Sequence, residues 1–124
     1  MTVLYLVRHA ETEANVSGVW QGSLDAPLTP RGEAQVEATA VEFARLSATV
    51  QFDHLYVSPL ARAQSTAAGI AAGTGLEAEI DPKLAEFHLG DWEGRTFIDL
   101  RDTEDLWGKW AVDPTFAPPN GESP

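Results

Sequence analysis

Hydrophobic and polar positions follow two different periods along this chain, and the period changes several times. Residues 2–7, Thr2-Val3-Leu4-Tyr5-Leu6-Val7, are apolar without alternation and end at Arg8. A short continuous run of this kind predicts a strand covered on both faces, as in a parallel sheet. From Thr29-Pro30 onward the period is helical: Val36, Ala40, Phe43 and Ala44 recur at offsets 0, 4, 7 and 8. Thr29 suits an N-cap and Pro30 the first helical position, so a helix is expected from there to about Ser47. Residues 52–57 read as a second strand. Ser58-Pro59 then repeats the cap-plus-proline signal, and Ala63, Ala67, Ile70 and Ala71 repeat the same offsets up to a stop at Gly73-Thr74-Gly75. A short third strand is expected at 77–80. A third helix is expected from about Thr96 to Trp110, with Phe97, Leu100 and Trp107 on its apolar side.

Between these elements, residues 10–28 form a long loop carrying Asn15, Gly18, Gly22, Asp25 and Pro27, and long loops in compact domains are usually functional or disordered. Loop chemistry returns around Gly90, Asp91 and Gly94. Residues 113–124 hold four prolines and should form no regular element. No internal repeat is visible. Strand and helix alternating three times predicts an α/β fold, a three-layer α/β/α domain with a mostly parallel sheet. Ligands of such sheets bind beyond the carboxyl ends of the strands. Arg8-His9-Ala10-Glu11-Thr12 and Ser58-Pro59-Leu60-Ala61-Arg62 should therefore meet at one crevice.

Composition leaves this picture in place. With 124 residues, 44% hydrophobic and 22% charged, the chain fits one domain and is unlike a disordered or fibrous one. It has no cysteine, which excludes disulfides and thiolate metal sites, and its histidines, His9, His54 and His88, are too widely spaced to suggest zinc. Val3-Leu4-Tyr5-Leu6-Val7 is too short to span a membrane and has no basic segment before it, so a cytoplasmic chain with no membrane partner is the default. Eight Lys and Arg against nineteen Asp and Glu, a net charge of -11, argue against nucleic acid as a partner; the negative charge reads as solubility.

Candidate chemistry sits in the loops. Arg8-His9 closes an apolar strand ahead of a glycine-containing loop. A histidine there can act as nucleophile, base or ligand, and the neighbouring guanidinium suits phosphate or carboxylate. Taken alone, such a dipeptide is also a common surface accident. Arg62 falls in the first turn of the second helix. Either it points to solvent, or it joins the helix N-terminus in an anion site. Glu86, in Leu84-Ala85-Glu86-Phe87-His88-Leu89-Gly90-Asp91-Trp92-Glu93-Gly94, has apolar neighbours that could desolvate a carboxylate and fit it for general acid work, or it is an exposed loop glutamate. Asp91 and Glu93 are rivals on the same grounds.

Leu6-Val7-Arg8-His9-Ala10-Glu11-Thr12 with Asn15 resembles the signature of the histidine phosphatase superfamily, the phosphoglycerate mutase-like proteins. So do Gln21-Gly22, Pro27-Leu28-Thr29 with Gly32, Ser58-Pro59-Leu60 with Arg62-Ala63 and Thr66-Ala67, and Leu84-Ala85-Glu86 with Gly90, Trp92, Glu93 and Gly94. These blocks stand in family order over residues 3–94. The resemblance implies that His9 is the nucleophile and becomes a phosphohistidine. It implies that Arg8 and Arg62 hold the phosphoryl oxygens, that Asn15 contacts the phosphate, that Gln21 and Gly22 lie near the substrate, and that Glu86 protonates the leaving alcohol. No metal or cofactor is required. A small phosphorylated metabolite is the implied partner, and a homodimer is among the assemblies left open.

Two departures stand out. Position 10 is alanine where the family commonly has glycine. The family also carries a second active-site histidine on a later strand, and neither His54 nor His88 sits in a matching context. Asn120-Gly121-Glu122-Ser123-Pro124 resembles a family segment that normally leads into another helix. The expectation is therefore a single domain over residues 1–124, incomplete at its C-terminal side. Gly90-Asp91-Trp92-Glu93-Gly94 looks more like the phosphatase branch than the mutases. Phosphomonoester hydrolysis is the expected activity, with mutase-type transfer or an inactive, phosphate-binding fragment as the alternatives.

Overall fold

The helix expected after Thr29 begins there because the Thr29 hydroxyl accepts the Gly32 N–H at 2.9 Å. A computed structural model describes residues 1–124 and orders them as α1 (Glu13–Ser17), α2 (Pro30–Leu46), β1 (Leu55–Val57), α3 (Ala61–Thr74), β2 (Ala78–Ile80), α4 (Phe97–Glu104) and α5 (Leu106–Val112). β1 and β2 pair in parallel, Leu55 opposite Ala78 and Val57 opposite Ile80, with α3 as the crossover between them. The fold is α/β, as expected.

α3 lies along α2 on a seam of small residues. A Cβ at Gly69 would stand 2.6 Å from the Val36 carbonyl oxygen, and one at Gly73 would collide with the Ala40 carbonyl. Backbones this close exclude larger side chains, which is why this face of α3 carries glycine and alanine. The seam fixes where the N-terminus of α3, and Arg62 with it, stands relative to the loop before α2.

A second apolar cluster is built on Leu89, Trp92, Leu100 and Leu106, with Trp20, Phe87, Phe97, Trp110 and Phe116 packed around it. Trp20 is pinned to the 90s loop at both backbone groups: its N–H donates to the Arg95 carbonyl and its carbonyl accepts the Gly94 N–H, each at 2.9 Å. This cluster carries the loops that hold Gln21 and Glu86.

Four expectations are corrected. Residues 2–7 make no strand pairing, and their side chains are open, with Val3 62% and Leu6 91% exposed. An extended segment forms a strand only with a ladder partner, and none reaches it; its aromatic contact is Tyr5 edge-on to Phe52 at 5.1 Å. α1 lies inside the expected loop, nucleated by a reciprocal cap between Thr12 and Asn15. α3 starts at Ala61 rather than at Ser58-Pro59, for a reason given below. The third helix is two helices, broken at Asp105 with φ of 48°. The break turns Leu106 into the core and leaves Trp107 outside, 58% exposed.

The chain exposes 7900 Å², where a monomer of this mass typically exposes about 6,500 Å². No helix is long and apolar enough to cross a membrane.

Candidate active site

A cleft of about 340 Å³ is lined by Arg8, His9, Asn15, Val19, Trp20, Gln21, Gly22, Arg62, Glu86, Phe87 and Leu89. Seven of these residues are the ones singled out in the sequence. The structure brings all seven together from four separate segments.

His9 is held by its own neighbour. Its Nδ1 lies 2.7 Å from the Ala10 carbonyl oxygen. A carbonyl only accepts, so Nδ1 is the donor and Nε2 is the ring nitrogen left without a protein partner. The Ala10 N–H donates to the Thr66 hydroxyl at 2.9 Å, and that hydroxyl donates to the Arg62 carbonyl at 2.9 Å. Thr66 thus ties the His9 segment to α3. Ala10 is buried and outside the left-handed region, so its methyl costs the backbone nothing where glycine was the expected residue.

Arg62 is 5% exposed and does not point to solvent. Its Nη1 donates to the Leu24 carbonyl at 2.7 Å and to Asp25 Oδ1 at 3.0 Å, and its Nη2 donates to the Gly22 carbonyl at 2.8 Å. These bonds use the outer edge of the guanidinium. Nε–H and one Nη2–H have no protein partner, and together they form a side-on fork of the kind that grips two oxygens of an oxyanion. The helix N-terminus is not the free anion site that the sequence suggested. The Asp25 carboxylate accepts the N–H groups of Ala61, at 2.8 Å, and Arg62, at 3.3 Å. That distant cap is also why α3 starts at Ala61.

Arg8 is exposed and makes no hydrogen bond or ion pair with the protein, so its whole guanidinium is available. Asn15 uses Oδ1 to accept the Thr12 N–H and hydroxyl, both at 2.9 Å, which leaves its Nδ2 donors free. Gln21 is buried and spans its loop, donating to the Thr12 hydroxyl at 3.0 Å and accepting the Ala26 N–H at 3.2 Å. Gly22 has φ of 51°, and a Cβ there would meet Glu93 Oε1 at 2.5 Å; both facts require glycine.

The three candidate carboxylates separate cleanly. Glu86 lines the cleft, exposed and without a hydrogen-bond partner; the apolar shell expected around it does not enclose it. Asp91 faces elsewhere and accepts both its bonds from Asn120 Nδ2, at 3.1 Å. Glu93 is a staple: Oε1 accepts the Ser23 N–H at 2.7 Å, the Ser23 hydroxyl at 2.8 Å and the Leu89 N–H at 3.1 Å. Burial pushes its carboxyl pKa up, but the bonds from Ser23 and Leu89 and the nearby His88 outweigh burial and hold it below the ordinary value. A group so lowered stabilises the fold above its unfolded pKa and loses that contribution as the pH falls through its folded one. Glu93→Gln should cost about 1–3 kcal/mol at pH 7. It should also flatten the fall in melting temperature seen for the unmodified chain below about pH 5. Parallel acid profiles of the two proteins would contradict the staple.

His54 stands 3.5 Å from Glu79 beside β1, and His88 Nδ1 accepts the Gly90 N–H; neither lines the cleft, and His9 is its one histidine. No group of three or more His, Cys, Asp or Glu side chains gathers as a metal ion would need. A wider hollow of about 650 Å³ shares Arg8, His9 and Asn15 with the cleft and extends to Val7, Gln35, Thr39 and Phe43. The sequence reading missed Thr66 and Asp25 as site supports. Thr66 had a signal, since it lies four residues after Arg62 on one helix face. Asp25 had none stronger than its place in a polar loop.

The model of the histidine phosphatase superfamily (branch 1) matches residues 4–124. An "Adenosylcobalamin/alpha-ribazole phosphatase" of Salmonella typhimurium is 37% identical over 121 residues, 96% of this chain and 58% of the relative. A "Probable phosphoglycerate mutase" of Serratia proteamaculans is 40% identical over 125 residues, 99% of this chain and 56% of the relative. Among solved structures, a mycobacterial glucosyl-3-phosphoglycerate phosphatase in complex with VO3 superimposes with a TM-score of 0.80 at 36% identity, over 93% of this chain and 54% of that one. The chain thus spans 56–58% of the length of these two sequence relatives.

Proposed function

Because the chain belongs to the histidine phosphatase superfamily, we propose that its cleft receives the phosphoryl group of a small phosphomonoester and that His9 attacks it. The observation that carries this reading is the convergence of His9, whose Nε2 has no protein partner, with the free donors of Arg8, Arg62 and Asn15 on one hollow. A phosphoryl group spreads charge over three oxygens, and its transfer depends on positioning and electrostatic stabilisation. Arg62 offers its side-on fork, Arg8 a whole guanidinium and Asn15 an amide.

The Nε2 lone pair forms an N–P bond as the ester P–O bond breaks. Glu86 gives its proton to the departing alcohol oxygen, because an alkoxide leaves poorly. Water then attacks the phosphohistidine, Glu86 takes back a proton, and orthophosphate leaves. The likeness of Gly90-Asp91-Trp92-Glu93-Gly94 to the phosphatase branch supports hydrolysis over isomerisation. Incubation with 3-phosphoglycerate and catalytic 2,3-bisphosphoglycerate should give no rapid isomerisation; rapid isomerisation without phosphate release would overturn the phosphatase reading. Glu86→Gln should slow alkyl phosphates by about 10²-fold or more while sparing p-nitrophenyl phosphate, whose leaving group needs no proton. Equal slowing of both would remove Glu86 from the acid role.

A second reading has its own observation. Residues 3–7 are apolar, exposed and without a ladder partner, and Val7 borders the wider hollow beside His9. In this reading the 124 residues are one part of a larger catalytic domain. They bind phosphate but turn over slowly until a further strand pairs with residues 2–7. Equal turnover of an aryl phosphate by this chain and by a full-length relative would sink it.

A further inference from the structure

Beyond the residues of the proposed chemistry, the lining of the cleft is apolar. Val19, Trp20, Phe87 and Leu89 complete its lining. Phe87 adjoins Glu86 in the chain, and the acid marks the side on which the alcohol departs. Trp20 is a built surface rather than a loose side chain. Its ring stacks on Phe97 at 6.3 Å and on Trp110 at 5.9 Å, and both of its backbone groups are pinned to the 90s loop.

The charges of the lining are equally selective. Arg8 and Arg62 are its only cations. The outer edge of Arg62 is already committed to Gly22, Leu24 and Asp25. What remains of both guanidinia matches one phosphoryl dianion. A carboxylate elsewhere on the substrate would find no cation and would lie near Glu86, on a chain of net charge -11.

We propose that the alcohol half of the substrate is uncharged and presents a flat or apolar face, held against Trp20 and Phe87, and that phosphomonoesters bearing a carboxylate near the reacting oxygen fit poorly. This rests on the phosphoryl pocket proposed above. The test is calorimetric titration of the chain with inorganic phosphate, benzylphosphonate and 3-phosphonopropionate, the last two being stable to hydrolysis. Benzylphosphonate should bind about 10-fold more tightly than 3-phosphonopropionate, the size expected of one good aromatic contact plus buried area. Phe87→Ala and Trp20→Ala should each narrow that ratio, and Phe87→Lys should reverse it by supplying the missing cation. Trp20 also supports the aromatic cluster, so Phe87 is the decisive position if the Trp20 variant fails to fold. Phosphate binding with equal or inverted affinities for the two phosphonates, or an unchanged ratio in folded Phe87→Ala, would overturn this inference alone. Failure to bind inorganic phosphate at all would overturn the phosphoryl pocket and this inference with it.

Discussion

Replacing His9 with alanine should abolish phosphoenzyme formation and cut aryl phosphate turnover by at least about 10³-fold, since loss of a nucleophile in other hydrolases costs up to about 10⁶. The expected size follows from the cleft having a single histidine, whose Nδ1 is committed to the Ala10 carbonyl and whose Nε2 is the free atom. No neighbouring group can substitute. Glu86 is assigned to the leaving alcohol, opposite the attacking group, and the Thr66 hydroxyl is occupied in both directions by Ala10 and Arg62. Because Arg8, Asn15 and Arg62 are untouched, inorganic phosphate should still bind His9→Ala, which separates lost chemistry from a lost fold. Rapid quench with phosphorus NMR reads both. A phosphorylated species trapped on the alanine variant would refute His9 as the nucleophile.

Arg62→Ala should fail in two ways at once. The side chain is 5% exposed and holds the Gly22 and Leu24 carbonyls and the Asp25 carboxylate. Breaking a buried pair by removing one partner costs about 3–5 kcal/mol. Asp25 is partly open, with 31% of its side chain exposed, so the lower end of that range applies. The melting temperature should fall by about 10 °C. Phosphate affinity should fall by about 10²-fold, because the fork is gone and Asp25 stands uncompensated nearby. Lysine should restore little of either. It is a point charge and cannot hold three loop acceptors along one edge while presenting a second edge to a ligand. A melting temperature equal to that of the unmodified chain would show that the 22–25 loop is held without Arg62.

The two positions differ in how far they could be read in advance. His9 stands out by its place after an apolar run and before a long loop, but the dipeptide alone is also a common surface accident, and its role came from the family resemblance. Arg62 could be placed in the first turn of α3 from local signals, but its two readings, solvent and anion site, stood level. The structure removes the solvent reading and splits the guanidinium between a loop and the cleft. The carboxylates behaved similarly. Glu86, Asp91 and Glu93 were equivalent along the chain, and only packing separated an open side chain in the cleft from one bound to Asn120 and one bound to Ser23 and Leu89.

The sequence by itself determined α2 to within a residue, the stop of α3 near Gly75 and the α/β class, and it singled out seven of the eleven residues that line the cleft. Helix caps and apolar periods are set by residues three or four apart, so they are written in neighbouring positions. Tertiary structure alone decided the start of α3, the break at Asp105, the openness of residues 2–7 and the double role of Arg62. Each depends on what the chain brings from far away: Asp25 lies 36 residues before the N–H it caps, and a strand exists only when a partner reaches its edge. Such pairings depend on distance in space, which no local pattern records.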